Sequence, residues 1–330
     1  MLRRFAALAT LLAGLAGSLS ASATCPRLTG TFLQPLTVHR DWPEERWRRL
    51  FDRLADLRLE ELYLQWSEVD GQAVITVPVL QTVLGLAAQR GIRVWIGLAA
   101  DTGFGRRILE EPRAVAVYLA RLRAAGREVA LRLAPAWRSQ DAVAGWYIPE
   151  EIDDRNWQEL ARRRLLVDHL AALASELSQI APELPVAVSG YTGAWLDPAT
   201  LAALWSEIFA AASLDLLLFQ DGLGVGRMRS ADVEQYLSAL RSAAVRSNRG
   251  FAVVVEVFRQ KSGTSLDDRP FQAAPAPFER ILDQLVLAGR YGGGGLVAFS
   301  VPEYMTPEAG AAARELSLRY RRWLRKSCGG

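Results

Sequence analysis

The fold predicted by this sequence is a single (β/α)8 barrel, and three observations predict it. Eight short runs rich in Val, Ile, Leu and aromatic residues alternate in series with eight longer segments whose apolar residues recur at helical spacing. No Gly-rich phosphate-binding turn follows the first run. Gly30-Thr31-Phe32-Leu33-Gln34-Pro35 lacks the G-x-G-x-x-G spacing and no Walker sequence occurs, which sets aside a doubly wound open sheet. The 330 residues show no linker, low-complexity segment or second-domain boundary, and the 307 from Thr24 onward suit one barrel domain, for which ~250 residues are common.

The expected strands are Gly30–Leu36, Glu61–Trp66, Arg93–Ala99, Gly145–Pro149, Leu184–Ser189, Asp215–Phe219, Gly250–Val257 and Gly294–Ser300. The helices expected after them are Pro43–Leu57, Val77–Arg90, Arg107–Arg123, Asn156–Ile180, Pro198–Ala212, Ser230–Ser247, Pro277–Ala288 and Pro307–Lys326, with an extra one at Ala130–Ser139. Start signals support them: Asp41 before Trp42-Pro43, Asp154 ahead of Asn156, Asp197-Pro198, Ser230 with Asp232, and Thr306-Pro307-Glu308. Gly91, Gly126 and Gly250 stand where helices should end and strands begin. The four-glycine run Gly292–Gly295 precedes the eighth strand, so in a barrel it lies opposite the ligand-binding face and reads as a connector.

Composition narrows the chemistry. With 50% hydrophobic residues, 23% charged and a formal charge of +3, this is a folded globular chain. Its basic residues are spread along helices, as at Arg46, Arg48, Arg49 and Arg53, so nucleic acid is not an expected partner. Two His and two Cys are too few for a Cys/His zinc centre, and neither metal nor organic cofactor is expected. Arg3 and Arg4, the apolar run from Phe5 to Leu19 and Ala21-Ser22-Ala23 have the form of a secretory signal peptide cleaved after about Ala23. An uncleaved anchor is the competing reading, but the apolar run is short of the ~20 residues a span needs. Lipidation at Cys25 would follow a poorly suited Thr24. Periplasmic or extracellular delivery would allow Cys25 and Cys328 to form a disulfide joining the chain ends; two free thiols are the alternative.

Barrel sites are built just past the strands. The residues there are Gln34 and His39; Gln65, Trp66 and Glu68; Asp101; Glu150, Glu151 and Asp153; Tyr191; Gln220 and Asp221; Glu256; and Glu303 with Tyr304. Carboxylates can act as acid, base or nucleophile, amides bond hydroxyls, and aromatic faces stack on sugar rings. The combination suits a neutral polyhydroxylated ligand better than a phosphate, which would call for Lys or Arg on the rim.

Glu150-Glu151 closes the fourth strand and Glu256 lies in the seventh, in Val253-Val-Val-Glu-Val-Phe258. Carboxylates at those two strand ends resemble the clan A glycoside hydrolases, the retaining four-seven barrels. Thr31–Pro35, Trp146–Asp153 and the run Gln220-Asp-Gly-Leu-Gly224 also resemble the shared elements of a bacterial family of exported TIM-barrel proteins of unassigned function, over nearly all of the chain after the leader. The resemblance implies a retaining mechanism, in which two carboxyl groups about 5–5.5 Å apart serve as acid and nucleophile. Glu256 would be the nucleophile. Glu151 is the preferred acid, because Glu150 then takes the place of the Asn that precedes the acid in the clan; if Glu150 were the acid, Pro149 would stand there with no polar side chain. In a regular strand the two cannot both face the pocket.

The chain departs from the clan at Glu150, Gln65 and Gln220, which stand where an Asn, an Arg and a Tyr or His are usual. A structural ion pair to an Arg is the plain alternative for each glutamate. Asp221 reads either as an alternative base or substrate clamp or as a turn residue before Gly222. Trp66, Trp146, Tyr147, Tyr191, Trp195 and Tyr304 are candidate sugar-stacking residues, whereas Trp95, Trp205 and Trp323 read as core. His39 is a candidate substrate contact; His169 reads as a packing or surface residue, and neither belongs to a G-x-S-x-G arrangement. The leading expectation is thus a retaining glycoside hydrolase acting on a poly- or oligosaccharide, and the alternative a catalytically inactive carbohydrate-binding barrel. A barrel lyase or metal-dependent hydrolase is disfavoured by the shortage of His and Lys on the rim.

Overall fold

A computed structural model describes residues 25–138, 140–263 and 269–329. The expected signal peptide, residues 1–23, lies outside the described residues. The strands are β1 (Gly30–Leu33), β2 (Glu61–Leu64), β3 (Arg93–Gly97), β4 (Val143–Ile152), β5 (Val186–Gly190), β6 (Leu216–Gln220), β7 (Gly250–Glu256) and β8 (Leu296–Phe299). They form a closed parallel barrel in the order β1-β8-β7-β6-β5-β4-β3-β2. Closure comes from pairing Gly30 with Val297 and Thr31 with Ala298. This is the (β/α)8 barrel that the alternation predicts.

Its outer helices are α1 (Glu44–Asp56), α2 (Val77–Ala88), α3 (Pro112–Arg132), α4 (Leu160–Ile180), α5 (Pro198–Ala211), α6 (Ser230–Arg246), α7 (Phe278–Ala288) and α8 (Ala311–Ser327). In α1, Trp47, Leu50, Phe51 and Leu54 recur at helical spacing and are buried, while Glu44 and Glu45 sit in the first turn, where the dipole favours negative charge. Asp197 caps α5 by accepting from the Ala199 and Thr200 amides, with Pro198 at the position that needs no donor.

Four expected helices shift; the eighth begins at Ala311, after a 3-10 turn at Pro307–Ala309 and Gly310. The third helix starts later, because Pro112 occupies its first turn, and it continues through Gly126 instead of ending there. Gly126 is a packing position: an added Cβ would touch Leu98 at 3.6 Å and Leu173 at 3.6 Å. The separate helix expected at Ala130–Ser139 shrinks to one turn, Ala134–Trp137. The fourth helix begins at Leu160, because Asp153 and Asp154 organise the loops after β4 and β5 instead of capping a helix: Asp153 accepts from the Arg155 and Asn156 amides at 2.7 Å, and Asp154 from the Gly193, Trp195 and Leu196 amides. The rim also carries a hairpin, Phe258–Ser262 with Gln272–Pro275, and a small sheet of Glu68–Val69, Gln72–Ala73 and Ala99–Ala100, which no strong alternation announced.

The barrel lumen is filled by Phe32, Tyr63, Trp95, Tyr147, Leu218, Val254 and Val297, with Tyr63 and Trp95 stacked at 5.4 Å. Trp205 and Trp146 are fully buried in the larger layer between sheet and helices. At the opposite end Leu28 N–H donates to the Tyr320 hydroxyl at 2.8 Å, docking the segment before β1 on α8. Cys25 and Cys328 form a disulfide there, their Cα atoms 5.2 Å apart. No helix among the described residues is long and apolar enough to cross a membrane.

Candidate active site

Strand alternation carries the lumen-facing set up to the mouth. Two residues beyond inward Phe32, Tyr63, Leu218 and Val254 stand Gln34, Gln65, Gln220 and Glu256. On β4 the pairing jumps from Ile148 opposite Val188 to Glu151 opposite Ser189, so Pro149 and Glu150 are bulged out. An insertion of two residues preserves parity. Glu151 therefore faces the mouth like Tyr147 below it, with the Gln65 amide nitrogen 3.5 Å from its Oε1. A cavity of about 550 Å³ opens here, lined by Gln34, Gln65, Trp66, Glu151, Tyr191, Gln220 and Glu256, with apolar walls from Phe104, Phe258, Phe271 and Phe299. That size and mixture are usual for a small-molecule site.

Burial dominates the electrostatics. Glu256 is buried, and desolvation and the neighbouring Asp221 carboxylate raise its pKa, opposed by the Val225 N–H, which donates to Oε2 at 2.9 Å, and by Arg227. Burial likewise raises Glu151, opposed by Arg227 and a hydrogen bond from Gln220. Arg227 lies in the loop after β6, stacked over the Tyr191 ring at 4.2 Å. It supplies positive charge from the sixth strand's loop, whereas the clan resemblance implies an Arg on the second strand, where Gln65 stands.

The Gln220-Asp-Gly-Leu-Gly224 run builds this corner. Asp221 is not in the cavity wall: its Oδ1 accepts from the Leu223 amide at 3.1 Å and its Oδ2 from Gln284 of α7 at 2.5 Å, tying the loop to the barrel. Gly222 has φ +66°, the left-handed region that favours glycine. Gly224 is needed for close approach, since a Cβ would lie 2.6 Å from Glu256 Cβ and 2.7 Å from the Phe258 carbonyl oxygen.

Other expected contacts are placed elsewhere. Glu150 also borders the cavity, but its buried carboxylate is tied to α4, where Oε1 lies 3.1 Å from His169 Nε2; His169 is therefore a buried partner of that bulge. Tyr147 sits one layer too deep, its hydroxyl 2.7 Å from Ser189 Oγ, and Trp146 faces the helices against Trp137. Tyr304 stacks on Phe258 at 5.2 Å outside the cavity wall. His39 is buried against Trp42 and Trp47 and accepts from Leu36 N–H at 2.7 Å, so it fixes the first loop. Glu68 pairs with Arg132, and Glu303 accepts from Ser300 and from Gln34 N–H. Trp195 is 59% exposed on an adjoining groove. Among the described residues no cluster of three or more His, Cys, Asp or Glu side chains is placed to hold a metal.

Residues 28–311 match the family described as Domain of unknown function (DUF4434). The chain belongs to that family. A relative, the uncharacterised protein YbcH of Escherichia coli (strain K12), is 29% identical over 265 residues, covering 78% of this chain and 84% of that one. Among solved structures, a candidate alpha-L-fucosidase from Bacteroides thetaiotaomicron VPI-5482 superposes with a TM-score of 0.72 at 19% identity over 96% of this chain and 99% of that one. The endo-1,4-beta-mannanase from Rhizomucor miehei follows at TM-score 0.55, 10% identity, and 90% and 95% coverage. The beta-galactosidase from Marinomonas ef1 gives 0.58, 12% identity, and 90% and 60% coverage. The expected resemblance to a family of barrels of unassigned function is thus borne out, and the likeness to glycoside hydrolase barrels holds at the level of the fold.

Two parts of this DUF4434 site, Arg227 and a pair of hairpin phenylalanines, were not foreseen from the sequence. Arg227 stands seven residues past the end of β6 and returns to the mouth because its own N–H donates to Gly222 O at 2.9 Å, closing the loop the glycine begins. Phe258 and Phe271 come from the rim hairpin, whose strands meet only in the fold. An Arg after an Asp-Gly turn on the ligand face was the available signal for the first; the second had none.

Proposed function

We propose that this protein is a retaining glycoside hydrolase acting on an oligo- or polysaccharide, with Glu151 as general acid and base and Glu256 as nucleophile. The observation that carries the reading is that the ends of β4 and β7, three strands apart in the closed barrel, each present a glutamate to one cavity with amide donors and aromatic walls. In such a mechanism the acid protonates the leaving oxygen while the nucleophile attacks the anomeric carbon, and the acid, now ionised, activates the water that releases the glycosyl-enzyme. Glu151 suits the first role through its burial-raised affinity for a proton and its contact with Gln65 and Gln220. Glu256 is assigned the second: the Val225 N–H fixes one oxygen, and together with Arg227 it partly offsets the burial and the Asp221 charge that favour the protonated form. The disulfide supports delivery to an oxidising compartment after signal-peptide cleavage.

A second reading, a carbohydrate-binding barrel without turnover, is favoured by one observation: Asp221 lies behind Glu256 and resists its ionisation. The two readings separate in a glycan panel incubated with wild type, Glu151→Gln and Glu256→Gln. Hydrolysis by wild type, lost by at least about 10³-fold in each variant while binding persists, with product released in the starting anomeric configuration by proton NMR, is the expected result. Inverted product would overturn the roles given to the glutamates, and binding without turnover by wild type leaves the binder.

A further inference from the structure

The cavity continues into a groove of about 790 Å³ across the loops after β3, β4, β5 and β6, the two sharing Asp153, Asn156, Tyr191 and Arg227 as a common wall. The groove holds an uneven set of charges. Its acidic side chains are already engaged: Asp153 and Asp154 accept backbone amides, and Glu159 pairs with Arg162 at 3.2 Å. Two of its arginines are not. Arg155 lies over the Trp195 ring at 4.7 Å and Arg227 over the Tyr191 ring at 4.2 Å, and among the described residues neither guanidinium forms an ion pair with a carboxylate. Both residues are solvent-exposed in the loops, and a guanidinium stacked on an aromatic face keeps its in-plane N–H donors free. A planar fork of donors beside a ring matches a sugar that carries an anionic group.

We infer that the groove is the specificity site for an acidic saccharide, one sugar stacking near Trp195 or Tyr191 while its carboxylate or sulfate meets Arg155 and Arg227. This rests on the glycan reading of the cavity and names the substrate class. It also replaces the neutral ligand expected from a rim without Lys or Arg, because Arg227 returns to that rim from the loop. An extended acidic glycan would thus be gripped in the groove and cut at the glutamates.

The test is calorimetric binding of the full chain to polygalacturonate, to the same polymer with its carboxyl groups reduced to hydroxymethyl, and to dextran sulfate. The expected result is binding of an anionic polymer about tenfold or more tighter than the reduced one, since a charge-assisted contact is lost with each carboxylate. Arg155→Gln should weaken it about five- to tenfold, while Arg246→Gln, on the outer helix α6, should leave it unchanged. Preference for polygalacturonate assigns the anion as carboxylate, and binding of dextran sulfate alone assigns it as sulfate. Equal affinity for the reduced polymer, absence of binding to either anionic polymer, or equal weakening by Arg246→Gln overturns the inference. Its failure is distinct from that of the hydrolase reading: an acidic polymer held without cleavage removes only the latter, and cleavage of neutral glycans indifferent to Arg155→Gln removes only the former.

Discussion

Replacing Glu256 by Gln should make the protein more stable at neutral pH while removing its activity. Burial and the Asp221 carboxylate push the Glu256 pKa up to about 8 from an ordinary 4.5. Below the unfolded value the group is neutral in both states and costs nothing. As pH rises, the unfolded chain releases the proton first and the native state holds it, so the unfolded state binds fewer protons and stability falls until the native group ionises near pH 8. Each unit of separation is ~1.4 kcal/mol, and coupling to Asp221 spreads the effect over two groups, so the loss by pH 7 is about 1–3 kcal/mol. Gln keeps an oxygen that can accept from Val225 N–H and does not ionise. Chemical denaturation of wild type and Glu256→Gln at pH 4 and pH 7.5 reads the difference directly. The variant should match wild type at the lower pH and exceed it at the higher. A variant less stable at both, by the same amount, would show that the carboxylate is held comfortably ionised and that Asp221 and burial do not oppose its charge.

Gly224→Ala places a methyl within 3 Å of both Glu256 and the Phe258 carbonyl, which should cost about 1–3 kcal/mol by overpacking and, by shifting the glutamate, reduce turnover about 10²-fold; unchanged stability in denaturant would contradict it. The disulfide closes a loop with a sequence separation of 303 residues, so Cys25→Ser with Cys328→Ser should lower stability by about 2–5 kcal/mol in the same assay, and equal stability would mean the ends are held by packing such as Leu28 on Tyr320 alone. Arg227→Met removes a charge that favours the ionised form of both glutamates; the acidic limb of the rate profile should move to higher pH by up to about one unit, with little loss of stability at this exposed position. A profile unmoved by that change would exclude the arginine from tuning the pair.

Much of this architecture is legible because the barrel repeats one period. Each strand needs a run apolar on both faces, each helix a stripe, and Asp197-Pro198 or Pro112 marks a start by local chemistry alone. The mouth residues Gln34, Gln65, Gln220 and Glu256 follow from counting two beyond an inward neighbour. Where the count fails, tertiary packing intervenes. Tyr147 was expected at the rim because it is near the strand's end, but the bulge at Pro149 and Glu150 lengthens β4 by two residues and leaves it in the floor. Gly126 reads as a helix end, yet its missing side chain serves contact with Leu98 and Leu173. His169 has no local signal at all, since its partner Glu150 reaches it from a different element.

Asp221 is the residue whose role changes most between these levels. As the first half of Asp-Gly it suggests a turn, and its burial beside Glu256 adds a second carboxyl group to that corner. If holding the loop were its whole effect, Asn would nearly suffice, because its amide oxygen can accept from the Leu223 amide and its amide nitrogen can donate to the Gln284 oxygen once that side chain is turned over. What Asn would lack is charge. With Asp221 ionised, the lowest-energy site for a proton in this corner is Glu256, and a ligand that brings charge or excludes water there shifts the whole arrangement. Arg227 pulls the other way from an exposed loop that also lines the groove, so an anion drawn to that guanidinium would weaken its pull on Glu256. The glutamate's proton and the ligand's charge are therefore linked through one side chain, and substrate binding and the protonation state for catalysis should prove inseparable in any pH profile taken with an acidic glycan.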